Sequence, residues 1–279
     1  MKSNALSRRI ARTRLAPVVA FPVRAKAVLT HDARVLGTSL RWLVTSREHH
    51  NFTYDLTPRN REHLAWFLAT VTGEPVSRIR AWLEEVEQDD ELRATLERGL
   101  ATSNRRGLAD RTVRYGRRIA WYALVRALKP RHVVESGIDK GLGSCLIAAA
   151  LRRNAGEGRP GRLSALDINP DAGYLVQGAY RDYVDIRRGD SLETIPALTE
   201  PVDVFIHDSW HSPEHEHAEF TLMEDRLADA ALLLTDNAAE TDVLVQHAEK
   251  TGRRFLYFHE FPDRHWHPGD GTGVAWFDR

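Results

Sequence analysis

Beyond residue 130 the apolar residues of this chain fall into short runs separated by stretches of helical period. Strands are predicted at 132–135, 163–166, 184–186, 202–207, 231–235, 254–258 and 274–277, with helices at 144–151, 172–180, 191–198, 213–227 and 240–250. Runs such as Val202 to His207 and Ala231 to Thr235 are nearly continuous in apolar residues, as strands buried on both faces must be. Alternation of strand and helix predicts an α/β fold built on a doubly wound, mostly parallel sheet of seven strands. The last two strands are joined by a loop without helix signals, so the final strand is expected to run antiparallel.

Ahead of the sheet the pattern is helical. Thr57 followed by Pro58 is a cap with proline at the first helical position, Leu64, Phe67 and Leu68 share a face, and Gly73 stops the helix. Further helices are predicted at 77–86, 90–100 and 113–128, the last ended by Pro130. Residues 1–50 show no clean period, and Pro17 and Pro22 predict that no long helix forms there. The chain thus divides into an arm at 1–50, a helical accessory or lid region at 51–112 and an α/β domain at 113–279.

Both central strands end in oxygen-bearing side chains, Asp208 after the fourth and Asp236-Asn237 after the fifth. Parallel strands bring such ends to one rim, which is where open α/β sheets bind ligands. Three converging oxygens suit a hard divalent cation such as Mg²⁺. The same residues also suit a turn at Asp208 and a helix cap at Asp236 or Asn237.

Composition narrows the classes. Lys plus Arg and Asp plus Glu are equal at 39 each over 279 residues, so net charge gives no reason to expect nucleic acid as a partner. The balance is local, however: residues 1–47 hold ten Lys or Arg against one acid, Asp32. Such an arm reads as a solvated tail, with anionic lipid at a membrane surface, nucleic acid or a neighbouring subunit of a homo-oligomer as its alternative contacts. One cysteine, Cys145, excludes an intrachain disulfide and fits a reducing cytoplasm. No run of 18 apolar residues exists to span a membrane, and Arg24 and Lys26 interrupt the only stretch resembling a secretory signal.

The motif with most chemical content is Glu135-Ser136-Gly137-Ile138-Asp139-Lys140-Gly141-Leu142-Gly143-Ser144, a strand end, a glycine-punctuated turn and a helix start. Glycines let a backbone approach a ligand closely, and free amides at a helix N-terminus attract its anionic part. Asp167 ends the next strand, where an acid suits the two hydroxyls of a ribose. Asp190-Ser191 closes the third, where a polar side chain reads an adenine edge or caps a helix.

In this order the motifs resemble a class I S-adenosylmethionine-dependent methyltransferase, with a Rossmann-like fold. More narrowly they are similar to the divalent-metal-dependent, catechol O-methyltransferase-like enzymes and their relatives acting on sugars and natural products. The resemblance covers about residues 113–279. It implies that Glu135, Gly137 and Gly141 face the methionine part of the cofactor and Asp167 its ribose; Ser144, Asp190, Ser191 and Asp208 are further expected cofactor-binding residues. It implies Asp208, Asp236 and Asn237 as ligands of Mg²⁺ or another divalent cation, and a small-molecule hydroxyl acceptor as the partner.

The catalytic base departs from the pattern. Where catechol O-methyltransferases place a lysine, this chain reads Asp208-Ser209-Trp210-His211. A histidine accepts a proton at neutral pH, so His211 is the expected general base. The change puts a catechol acceptor in doubt, and the extra helices with the His265-Trp266-His267 loop favour a saccharide or natural-product hydroxyl. Two side readings remain open: His211 and His215 as a metal pair on one helix face, and the loop 261–271 as a lid over the acceptor or a plain surface connection.

Overall fold

The computed structural model describes residues 16–49, 51–107 and 109–278. They form two compact units, α1 with residues 264–267, and the remainder from Arg47 onward.

The first unit corrects the sequence expectation for the arm. Ala16–Thr45 is a 30-residue helix, α1, with Pro22 inside it. Pro17 falls in the first turn, where the missing N–H has no intrahelical partner to lose, and Pro22 removes one hydrogen bond without ending the helix. Trp42 packs on Trp266 at 5.3 Å and on His265 at 6.2 Å within this unit.

In the second unit, α2 (Pro58–Thr72), α3 (Val76–Glu87) and α4 (Asp90–Thr102) precede the sheet. Thr57 caps α2 by accepting from the Asn60 amide, and Gly73 ends it in the left-handed conformation, as the sequence predicts. The helices bury Leu64, Leu68, Ile79, Leu83, Leu92 and Leu96 in the same apolar cluster as Val133 and Leu163 of the sheet. Residues 51–112 therefore share a core with the α/β region.

The α/β region runs through α5 (Ile119–Leu128), β1 (His132–Ser136), α6 (Leu142–Gly156), β2 (Arg162–Asp167), β3 (Val184–Arg188) and α7 (Ser191–Thr194). It continues with β4 (Val202–His207), α8 (Pro213–Glu224), β5 (Leu227–Asp236), α9 (Val243–Thr251), β6 (Arg254–Phe258) and β7 (Thr272–Trp276). The seven strands lie in the order β3-β2-β1-β4-β5-β7-β6. The first five are parallel, and β7 inserts antiparallel between β5 and β6. The Rossmann-like fold is thus as expected.

Several segments differ from the pattern: the helix expected at 191–198 ends at Thr194, and Leu227, expected to close the helix from 213, opens β5. Residues 172–180, read as helix, form turns and a 3₁₀ segment at Gly178–Tyr183, because Gly173 and Gly178 take positive φ of 74° and 58°. The helix expected from residue 113 starts only at Ile119, after a 3₁₀ turn at Gly116–Arg118. That delay sets two adjacent arginines at the sheet rim.

Candidate active site

Chain order reverses between β1 and β4, and a ligand crevice opens beyond the C-terminal ends of strands at such a switch point. A cavity of about 740 Å³ lies there. Its lining includes Gly137 after β1, Asp167, Ile168 and Asn169 after β2, Asp190 and Ser191 after β3, and Asp208, Ser209, Trp210 and His215 after β4.

The floor depends on glycine. Gly137 has φ of +78°, and a Cβ there would stand 2.1 Å from the Asp208 carbonyl oxygen. Asp167 braces the turn: one carboxylate oxygen accepts from the Ile138 and Asp139 amides at 2.9 and 3.0 Å, and the other from Asn169 at 2.8 Å. A carboxylate has about four lone-pair sites, so capacity for a ligand hydroxyl remains. Asp190 caps α7 by accepting from the Leu192 amide, and Ser191 Oγ lies 3.3 Å from His215 Nε2. Trp210 and Ile168, 71% and 74% exposed, offer apolar faces to the cavity.

Of the residues expected around a cofactor, Gly137, Asp167, Asp190, Ser191 and Asp208 line this space. Glu135 and Ser144 are instead buried and hydrogen-bonded to each other at 2.5 Å. Burial pushes the Glu135 carboxyl up to about 8 against the Ser144 hydrogen bond, so it holds its proton at neutral pH. Gly141, with φ of +90°, forms the start of α6 against Gly173.

The three oxygen donors assigned to a metal do converge, and two guanidinium groups meet them. Arg117 forks onto both Asp236 carboxylate oxygens. It also donates to Asn237 Oδ1 at 2.9 Å, Glu260 Oε1 at 2.8 Å and Tyr54 OH at 3.3 Å. Arg118 donates to Asp208 Oδ2 at 3.3 Å. Burial opposes the charge on Asp236, yet Arg117 and then Arg118 hold its carboxyl well below the usual range. A divalent ion on this set would strand Arg117, whose side chain is 7% exposed, beside a second cation. As arranged, these oxygens are engaged by guanidinium groups and do not fit the Mg²⁺ expected on Asp208, Asp236 and Asn237.

His211 Nε2 faces Asp208 Oδ1 at 3.7 Å. Burial disfavours a charged His211, but Asp208 outweighs it and the net shift is upward. Asp208 itself is pushed up by burial and by the charge of Asp236, against His211 and Arg118.

His215 turns to a different carboxylate from the one His211 faces. Ser212 caps α8, and one turn along that helix Glu219 accepts from His215 Nε2 at 3.1 Å, His207 Nδ1 at 2.7 Å, Ser209 Oγ at 2.9 Å and Ser136 Oγ at 2.6 Å. Burial would raise Glu219, but these donors, His207 first, hold it far below the ordinary range. This buried carboxylate ties the ends of β1 and β4 to α8. The sequence carried a signal for it, His215 and Glu219 four apart on one helix face. It carried none for Arg117 and Arg118, whose partners lie about a hundred residues away.

Residues 134–238 match the family described as a methyltransferase domain. No curated protein sequence matches the chain. Among solved structures, the chain is similar to an O-methyltransferase from Bacillus cereus in complex with S-adenosylhomocysteine (TM-score 0.54, 17% identity, 66% of this chain and 91% of that one). It is also similar to an O-methyltransferase from Streptomyces achromogenes involved in tomaymycin synthesis, in complex with S-adenosylmethionine (0.51, 19%, 69% and 92%). A methyltransferase from Geobacter sulfurreducens is a third (0.50, 21%, 72% and 98%). At these identities the likeness establishes the shared fold.

Proposed function

We propose that this chain, whose residues 134–238 carry a methyltransferase domain, is an S-adenosylmethionine-dependent O-methyltransferase that uses His211 as general base and works without a divalent cation. The observation that carries the reading is the cavity at the switch point, with an acid at the end of β2, two exposed apolar side chains at its mouth and the Asp208 and His211 pair beside it. The bound cofactor would supply an electrophilic methyl group on a sulfonium.

The chain's own residues do the rest. Asp167 accepts from ribose hydroxyls, Trp210 and Ile168 flank the adenine, and the backbone at Gly137 allows close approach. His211 would take the proton of the acceptor hydroxyl as that oxygen receives the methyl group the bound cofactor would supply. Asp208 orients the imidazole and stabilises its charged form. Holding both reactants in line supplies much of the rate.

Metal independence is supported by Arg117, which already pairs with the Asp236 carboxylate and donates to Asn237 Oδ1. Without an ion to gather two adjacent oxygens, selection for a catechol loses its basis, and a saccharide or natural-product hydroxyl is the acceptor class we favour. Transfer of labelled methyl to a panel of saccharides and phenols tests this. H211A is expected to lower turnover by about 10²–10⁴-fold with cofactor affinity unchanged. Retained turnover in H211A, or loss of wild-type turnover on adding a chelator, would overturn the reading.

A further inference from the structure

We propose that α1 is an in-plane anchor for an anionic phospholipid bilayer. This 30-residue helix buries none of its side chains. Val18, Phe21, Leu29, Leu36, Leu40 and Leu43 are all exposed, and their spacings of three, four and seven or eight put them along one face. Arg34 and Arg41, seven apart, lie on the opposite face. Arg24 and Lys26 sit at its two margins, where their stems can lie along apolar surface while the charges reach headgroups. Asp32 interrupts the apolar stripe and pairs with His31 at 3.2 Å.

An uncovered apolar face of this length calls for an occupant, and charge decides which. Residues 1–45 hold nine Lys or Arg against Asp32 alone, in a chain whose formal net charge is zero. A second copy of the helix would cover the apolar face and leave the basic residues unanswered. Nucleic acid would answer the charge and leave the apolar face in water. A bilayer containing anionic lipid answers both, since acyl boundary covers the apolar face and phosphates meet the basic margins. No helix among the described residues is long and apolar enough to cross a membrane, so the contact is with one leaflet.

Co-sedimentation of the full chain with vesicles tests this, using phosphatidylcholine alone or mixed with phosphatidylglycerol, at low and high salt. The wild type is expected to pellet with the mixed vesicles, at least about tenfold more weakly with phosphatidylcholine alone, and less at high salt. L29D/L36D is expected to bind mixed vesicles at least about tenfold more weakly with an unchanged melting temperature. The proposal falls if the wild type stays in the supernatant with both vesicles, or if L29D/L36D pellets as well as the wild type. It falls equally if light scattering shows a dimer that L29D/L36D dissociates while vesicles remain unbound.

Discussion

Arg117 and Asp236 form a buried two-pronged ion pair at the end of β5, with side chains 7% and 1% exposed. Pairs of this kind contribute little net stability against apolar replacements, but removing one partner leaves an uncompensated charge. R117M is therefore expected to lower the unfolding free energy by about 3–5 kcal/mol. R117M/D236L should recover part of that loss, because the two side chains are directly coupled. Urea unfolding of the four proteins of this cycle measures both effects.

The raised pKa of His211 fixes the sense of the pH profile. A general base must be neutral, so kcat/KM should rise with pH through a midpoint above the ordinary histidine value of about 6.5. Burial alone would lower that midpoint, and Asp208 is what raises it. D208N should shift the acid limb to lower pH while reducing the maximum rate. An unshifted limb in D208N would remove Asp208 as the partner.

Glu219 makes the opposite linkage. Its carboxyl is held below the ordinary range by His207, His215 and Ser136, against burial. A depressed folded-state pKa contributes stability above the unfolded value of about 4.3, and that contribution is lost as pH falls toward the folded value. The stability difference between wild type and E219Q should be largest near neutrality and shrink on acidification below about pH 4. Thermal melts across that range measure it.

Gly137 has no room for a side chain: the nearest atoms to a Cβ are backbone atoms of Asp208 and Ser209, at 2.1 to 2.5 Å. G137A combines that clash with a positive φ, and should destabilise the fold by more than about 2 kcal/mol. G158A, also at positive φ but with nothing within 4 Å, serves as the control and should cost about 1–2 kcal/mol.

The strands and their polar ends were legible because an apolar run fixes a buried strand and its first polar residue fixes the rim. Asp167, Asp190 and Asp208 were placed at the cavity by that logic. Residues 172–180 misled because Ala172, Leu175, Val176 and Tyr180 mimic a helical period, while Gly173 and Gly178 decide the backbone. The 16–45 helix was hidden by prolines whose positions cost it little. Arg117 and Arg118 went unremarked in the sequence, since nothing local announces that a cation will be buried against Asp236 and Glu260.

The central claim is that the cavity at the switch point holds S-adenosylmethionine without a metal ion. Isothermal titration of the cofactor into chelator-treated wild type and W210A tests it most directly, because Trp210 is exposed and its loss leaves the core intact. The account predicts one cofactor per chain, an affinity unaltered by added Mg²⁺, and binding at least about tenfold weaker in W210A. Absence of binding until Mg²⁺ is supplied, or equal affinity in W210A, would contradict it.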